Sequence, residues 1–275
     1  ISNLNYSANL LGILPHSLSA TAFQGDLSLD ASADLIAAPA PASRLELLAA
    51  GSLRLGARLV MSDAAPLADA RQPSTSDDAF RDAASPILAL RHAATPVHAG
   101  DASPSRFYAR DGDVAGEANK QQLLLPKAFA VRAGRDVLDL GVEAQHAAAS
   151  DASLIQAGRD LRYATGPGRN KGAYVWLGGP GRLELVAGRE LDLGGSAGVV
   201  SRGALDNPAL PVGGADIELA AGVGAGGIDY AGTLVRLRAA LAGAPDDAAL
   251  WQARWLTGDD SLDATNAATA VAAVA

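Results

Sequence analysis

The chain carries one phrase three times, as Ala133-Gly134-Arg135-Asp136, Ala157-Gly158-Arg159-Asp160 and Ala187-Gly188-Arg189-Glu190. The copies start 24 and then 30 residues apart, and residues that alternate between apolar and polar flank each of them. Repetition at such periods is the signature of stacked structural repeats. The sequence therefore predicts a solenoid, and it directs the search for function to the surface of that solenoid.

Alternation around the third copy defines one apolar face. In residues 183–193 the apolar side chains at 183, 185, 187, 191 and 193 share one parity. Successive side chains of a strand point to opposite faces, so these positions face the core together. The same frame fits residues 153–163, and it fits 129–137 with a slip near Leu140. Further copies, some of them weaker, lie at 45–55, 17–29 and 216–219.

The order strand, glycine bend, strand is typical of a β-helix coil. Glycine suits such a corner because it adopts positive φ values at no steric cost. Neighbouring coils then pair as parallel strands about 4.8 Å apart. Aromatic residues are only 4% of the chain while apolar residues are 49%, which fits a narrow core of Ala, Leu and Val. The predicted fold is an all-β parallel β-helix.

Departures from the repeat divide the chain into parts. We predict a solenoid over residues 1–227 and a helical or irregular cap or tail over 228–275. In this tail Trp251 and Trp255 lie one helical turn apart, and they are expected to cover the apolar end of the solenoid rather than to form an exposed anchor for a partner. Residues 62–104, rich in Asp, Ala, Pro and Ser, are predicted to be an insertion on one coil, with a short helix at 78–84. A glycine-rich basic loop is predicted at 165–172.

Composition excludes several classes of protein. The net charge of −8 and pI near 4.9 argue against binding of nucleic acid or of anionic lipid surfaces. Cysteine is absent, so disulfides, thiol catalysis and cysteine-ligated metals are excluded. No apolar run is long enough for a transmembrane helix, so no membrane insertion is predicted. The start at Ile1 and the abrupt alanine-rich end suggest a piece of a larger protein.

An ordered set of phrases carries a family resemblance. In chain order these are Leu-Leu-Pro-Lys at 124–127, Ser-Leu-Ile-Gln-Ala-Gly-Arg-Asp at 153–160, Gly-Gly-Pro-Gly-Arg-Leu-Glu-Leu-Val-Ala-Gly-Arg at 178–189 and Asn-Pro-Ala-Leu-Pro at 207–211. The set resembles filamentous-haemagglutinin-family exoproteins, and more narrowly the uncharacterised domain toward the C-terminal part of very large members. The resemblance covers about residues 14–230.

This resemblance implies a right-handed parallel β-helix and two-partner secretion through an outer-membrane transporter. It also implies that the protein is secreted and associated with the cell surface of a Gram-negative bacterium, where it acts as an adhesin or as the stalk that presents one. The family's N-terminal secretion domain is missing from this chain. The resemblance carries no catalytic residue over to this chain.

Two carboxylates stand close together in Asp111-Gly112-Asp113. Paired carboxylates perform general acid–base attack on glycosidic bonds, and polysaccharide-cleaving enzymes do occur on β-helices. However, Gly25-Asp26-Leu27 repeats the Gly-Asp-apolar pattern of Gly112-Asp113-Val114. A pattern that is used twice favours a structural corner.

Three other patterns also favour structural roles over ligand binding. Arg135, Arg159 and Arg189 would pair between coils with Asp136, Asp160 and Glu190 as a charge ladder rather than clamp a ligand. Gly222–Gly227 matches G-x-G-x-x-G, but too little chain follows for a dinucleotide-binding unit, so no cofactor is predicted. The histidines, His16, His92, His98 and His146, lack metal-ligand spacing, and those of the insertion are predicted to be solvated.

Three functions remain open from the sequence. The leading hypothesis is a non-enzymatic surface module, adhesive or a rigid spacer, whose loops at 62–104 and 165–172 contact a host or bacterial surface glycan or protein. The second is a polysaccharide-active β-helix that uses Asp111 and Asp113. The third is a passive stalk for a toxic or adhesive tip elsewhere in the full protein.

Overall fold

The chain folds as a parallel β-helix. A computed structural model describes residues 12–30, 34–63, 92–118, 120–164, 173–205, 207–224 and 227–228. These residues form 22 strands and contain no helix. Two compact units are present, Ile1–Ala225 and Gly226–Ala275, and only a strand at Gly227–Ile228 is described in the second. The predicted helical tail, including Trp251 and Trp255, lies outside the described residues.

The first unit contributes 21 strands in chain order. The first eleven are β1 (Gly12–Leu14), β2 (Leu18–Ala22), β3 (Leu27–Leu29), β4 (Leu35–Ala37), β5 (Leu45–Ala49), β6 (Leu53–Leu55), β7 (Leu59–Met61), β8 (Ser105–Ala109), β9 (Val114–Ala115), β10 (Leu123–Leu125) and β11 (Phe129–Ala133). The others are β12 (Val137–Leu138), β13 (Val142–Gln145), β14 (Ala152–Ala157), β15 (Leu161–Arg162), β16 (Val175–Gly178), β17 (Arg182–Ala187), β18 (Leu191–Asp192), β19 (Val199–Gly203), β20 (Asp216–Ala221) and β21 (Val223–Gly224).

Three parallel sheets form the walls of the solenoid. Sheet A has the order β1-β4-β7-β10-β13-β16-β19, sheet B the order β2-β5-β8-β11-β14-β17-β20, and sheet C the order β3-β6-β9-β12-β15-β18. Each complete coil contributes one strand to each sheet in turn, so within these sheets each strand pairs with the strand three places later in chain order. The prediction of a parallel β-helix is confirmed, whereas its right hand stays a prediction. Within the described residues, no helix has the length and hydrophobicity of a membrane span.

The positions that the sequence predicted to face inward are aligned with one another in the strand pairing of the sheets. Ala133, Ala157 and Ala187 are aligned partners in sheet B, and the inward residues of these strands are buried in one continuous core. The predicted shift of the apolar alternation by one position near Leu140 corresponds to a bend in the backbone at Asp139, whose φ is +49°. This bend lets both Val137 and Leu140 point inward, and both are buried.

The core also contains phenylalanine, contrary to the expectation of an Ala, Leu and Val interior. Phe107 and Phe129 are among the largest fully buried side chains. Phe129 aligns with Ser105 in the preceding strand and lies beside Ser153 in the following one, whose hydroxyl accepts a hydrogen bond from the Phe129 amide at 3.1 Å. These two small neighbours leave the volume that a large ring needs.

The glycines of the repeated phrase have a different role from the one predicted. Positive φ values occur at Gly25, Gly179, Gly181, Gly198, Gly203 and Gly222 but not at the glycines of the three Ala-Gly-Arg copies. Instead, a Cβ on Gly158 would lie 2.2 Å from the carbonyl oxygen of Gly134, and one on Gly188 would lie 2.0 Å from that of Gly158. These glycines are required because successive coils approach too closely for any side chain.

Candidate functional site

The insertion emerges where the chain passes from sheet A to sheet B, which we call the A–B corner. In other coils this corner takes between three residues, as at 126–128, and twelve residues, as at 204–215, whereas β7 and β8 are separated by residues 62–104. Residues 64–91, including the predicted helix at 78–84, lie outside the described residues. The two ends of that segment are close, because the Ala93 amide donates to the Asp63 carbonyl at 3.0 Å.

A buried ion pair ties the returning end of the insertion to the solenoid. The ammonium group of Lys127 donates to the Ser43 carbonyl at 3.0 Å and to the Asp101 carboxylate. The Lys127 and Asp101 side chains are only 2% and 8% exposed. Burial raises the pKa of Asp101, but the hydrogen bonds from Lys127 and from the Ser43 and Ser103 amides outweigh it, so the pKa is lowered. Asp101 is therefore ionised at neutral pH.

Two histidines complete this cluster. His92 Nδ1 lies 2.5 Å from Asp63 Oδ2, and both side chains are buried. His98 Nδ1 lies 3.6 Å from Asp101 Oδ2, and this side chain is 2% exposed. The prediction that the insertion's histidines are solvated is wrong, because His92 and His98 are both buried at the A–B corner. We call Ser43, Asp63, His92, His98, Asp101 and Lys127 the anchor cluster.

Acidification is expected to destabilise the protein through His98. Burial, followed by the positive charge of Lys127, lowers the pKa of His98 from 6.5 to about 4, although Asp101 and Asp63 oppose this shift. Between these values the unfolded chain binds a proton that the folded chain does not, so the free energy of unfolding falls as the pH falls. The contribution is about 3 kcal/mol, present above pH 6.5 and lost as the pH approaches 4. Urea denaturation across this window measures it.

The matched variants are His98→Gln and His16→Gln. His98→Gln removes the titrating group and is expected to flatten the dependence of unfolding free energy on pH. His16 is exposed, so its replacement is expected to leave the slope unchanged. If the unfolding free energy depends on pH equally in the native chain and in His98→Gln, His98 is not the group that causes the loss of stability.

A third buried histidine bridges two adjacent coils at the same corner. His146 Nδ1 lies 2.8 Å from the Pro180 carbonyl and Nε2 lies 2.7 Å from the Ser153 hydroxyl. The carbonyl only accepts, so Nδ1 carries the proton and Nε2 accepts from Ser153. Burial lowers the pKa of His146. This histidine is neutral with both ring nitrogens bonded, which is a structural role.

A cleft of about 390 Å³ opens beside the anchor cluster. The Glu46 side chain is 4% exposed and receives Arg44 Nε at 2.7 Å and Arg106 Nη1 at 2.5 Å. The hydrogen bond from Arg44, aided by Arg106, lowers the pKa of Glu46 despite its burial. The cleft therefore combines a fixed carboxylate with two arginines. Its lining comprises Ser17, Ala42, Ser43, Arg44, Glu46, Asp101, Ser103, Pro104 and Arg106.

The predicted charge ladder is present at the corner between sheets B and C. Arg159 Nη2 donates to Asp136 at 2.6 Å and Arg189 Nη2 donates to Asp160 at 2.6 Å, each reaching back one coil. Asp136 Oδ1 also accepts the amide of Asp160 at 3.1 Å. The side-chain hydrogen bond from Arg159 is the main cause that lowers the pKa of Asp136. The ladder ties adjacent coils through both side chains and backbone.

Asp113 belongs to this ladder. Arg135 Nε and Nη2 donate to its two carboxylate oxygens at 3.0 and 2.6 Å, and the amide of Asp136 donates to Oδ1 at 3.1 Å. The hydrogen bond from Arg135 lowers the pKa of Asp113. Asp111 is exposed and pairs with Arg110 instead. A carboxylate bonded by a guanidinium and an amide is a poor proton donor, so the geometry favours the structural interpretation of Asp113.

The outer face of sheet A holds a cluster that sequence reasoning missed. The rings of Tyr174 and Trp176 stack at 3.9 Å, and Arg202 lies over the Trp176 ring at 4.4 Å from its centroid. Tyr174 also donates to Glu143. The alternation in Tyr174-Val175-Trp176 was the available signal, because it places both aromatic rings opposite the buried Val175.

The other sequence candidates are only partly described. Residues 165–172 and Trp251 and Trp255 lie outside the described residues. Of the glycine-rich stretch at 222–227, Gly222 has a φ of +77°, and Val223–Gly224 is a short strand. In the described ranges, no three His, Asp or Glu side chains are grouped so as to hold a metal ion.

Comparison with known proteins finds no match to this chain, whether among protein-family models, curated proteins or solved structures.

Proposed function

We propose that this chain is a non-enzymatic module of a large secreted surface protein of the filamentous-haemagglutinin type, and that it mediates or presents attachment to a cell surface. The observation that carries the proposal is the anchored insertion. Residues 92–104, which follow the insertion's undescribed part, return to the solenoid through the buried anchor cluster, and this cluster holds the end of the insertion against the stacked coils. Loops on rigid scaffolds are where binding residues concentrate.

The resemblance in the order of phrases supports the same function. It adds export through an outer-membrane transporter of the two-partner route as part of the proposal. The absence of cysteine is compatible with a chain that stays unfolded during export. In this view the coils supply length and stiffness, and the insertion at 62–104 makes the specific contacts.

Deleting residues 64–91 tests this function. A Gly-Gly link between Asp63 and His92 is short enough because the Ala93 amide already bonds to the Asp63 carbonyl at 3.0 Å. The variant keeps the whole anchor cluster, so the solenoid is expected to retain its β-rich circular dichroism. We expect the native chain to be retained on an array of host and bacterial surface glycans, and retention on at least one class of these glycans to fall at least tenfold in the variant.

Two outcomes would contradict the adhesive role. If neither protein is retained while both are folded, the chain is a passive stalk. Release of shortened products from a polysaccharide, abolished by Asp113→Asn with the fold intact, would instead establish the enzyme.

A further inference from the structure

A second surface feature lies on the outer face of sheet B, away from the insertion. It is a groove of about 470 Å³ that crosses β5, β8, β11 and β14. Leu48, Tyr108, Arg132 and Gln156 form its outward row, since each is aligned with the next in the parallel register. The groove therefore runs along the solenoid axis, with one side chain from each of four coils.

Arg132 is an exposed cation that no described acid neutralises. Other arginines of the same outer face are paired, Arg106 with Glu46 at 2.5 Å and Arg182 with Glu184 at 2.6 Å. The Arg132 guanidinium instead lies 5.9 Å from the centroid of the Tyr108 ring. An unpaired guanidinium beside an aromatic ring is conspicuous on a chain with a net charge of −8, and it supplies a local positive charge for an anionic ligand.

Arg110, the second cation of the groove, does not add to this positive charge, because it is paired with Asp111. Arg110 donates through Nε and Nη2 to Asp111 Oδ2 at 3.0 and 2.6 Å. One guanidinium therefore acts alone, which suits a single planar carboxylate better than a densely sulfated chain. Gln156, half-buried beside it, makes no side-chain hydrogen bond to a described residue, so its amide is available to hydroxyl groups.

The backbone beneath the groove excludes peptide recognition by strand addition. Each of β5, β8, β11 and β14 is hydrogen-bonded along both edges within sheet B. Only side chains are presented to a ligand: an aromatic face, a guanidinium and an amide. This set matches the apolar face, the carboxylate and the hydroxyl groups of an acidic sugar.

We propose that this groove binds a carboxylate-bearing saccharide. Arg132 holds the carboxylate as a bidentate partner, Tyr108 packs against the sugar ring, and Gln156 bonds to its hydroxyl groups. The proposal rests on the proposed adhesive function, which it deepens by naming a ligand class. It assigns acidic saccharides to the sheet, in addition to the contacts that the insertion makes.

Isothermal titration calorimetry with the full chain tests the proposal. The probes are a hyaluronan hexasaccharide, with carboxylates along the chain, and sialyllactose, with one terminal carboxylate; maltohexaose and lactose are the neutral counterparts. We expect binding of at least one acidic probe and of neither neutral one. Arg132→Gln is expected to weaken that binding at least tenfold, and Tyr108→Ala is expected to weaken it while Tyr108→Phe does not.

Arg182→Gln is the matched control, because Arg182 is an exposed arginine on the same outer face that is paired with Glu184. Its affinity is expected to equal that of the native chain. Absence of binding to both acidic probes, or equal affinities for the native chain and Arg132→Gln, would overturn the proposal. In either case, retention on the glycan array that is lost on deletion of residues 64–91 would leave the adhesive function standing, so the two failures are distinguishable.

Discussion

Replacing Lys127 with methionine is expected to destabilise the protein by about 3 to 5 kcal/mol, the usual cost of removing one partner from a buried ion pair. Methionine keeps the apolar stem but removes the ammonium group that bonds to Asp101 and to the Ser43 carbonyl. The Asp101 carboxylate is then buried with only the Ser43 and Ser103 amides as donors. The shift of the urea denaturation midpoint measures the loss.

Two further variants separate this effect from general disturbance. Adding Asp101→Asn to Lys127→Met removes the uncompensated charge and is expected to recover much of the stability. Lys120→Met is the surface control, since Lys120 and its partner Glu117 are 57% and 47% exposed, and exposed pairs contribute less than about 1 kcal/mol. Equal losses for Lys127→Met and Lys120→Met would show that the anchor cluster does not hold the insertion in the way described.

Replacing Gly158 with alanine is expected to cost about 2 to 3 kcal/mol, as overpacking of a close-packed interior does. The added Cβ would lie 2.2 Å from the carbonyl oxygen of Gly134. Neither backbone segment yields easily, because the Gly158 amide donates to Ala133 at 2.8 Å and the Arg159 amide to Arg135 at 2.9 Å. The coils must therefore separate locally.

Gly100→Ala is the matched control for this change. A Cβ at Gly100 meets nothing within 4 Å, so the same substitution there is expected to be neutral or slightly stabilising, since alanine restricts the unfolded chain. Thermal unfolding of both variants provides the comparison. A Gly158→Ala protein as stable as Gly100→Ala would contradict the close approach of the coils at this corner.

Local patterns predicted the ladder well but did not predict all of its partners. Arg159 and Arg189 pair with Asp136 and Asp160 as expected, because the repeat itself places an arginine and an acid at equivalent points of adjacent coils. Arg135 pairs with Asp113, from a coil that lacks the phrase. This partner became visible only when the chain was stacked, and it shifts the interpretation of Asp113 toward structure.

The anchor cluster could not be predicted from the sequence either, because its members come together only when the coils stack. Ser43, Asp63, Asp101 and Lys127 stand in different coils or at opposite ends of the insertion, and no spacing relates them. The one available signal was Lys127 itself, a lysine between two strongly apolar strands. The composition of residues 92–104 predicted that they are exposed to solvent. In the folded chain, however, the stacking of the coils buries His92 and His98 at the A–B corner.

The sequence by itself determined the solenoid, its register and its inward faces, because each of these follows from short-range alternation that repeats at every coil. The tertiary structure alone decided which polar groups meet. Contacts between coils join residues that are tens of positions apart, and a parallel stack places them side by side only after the strands have paired. That is why the lack of an acidic partner for Arg132 among the described residues, the burial of His98 and the need for glycine at 158 are properties of the folded protein.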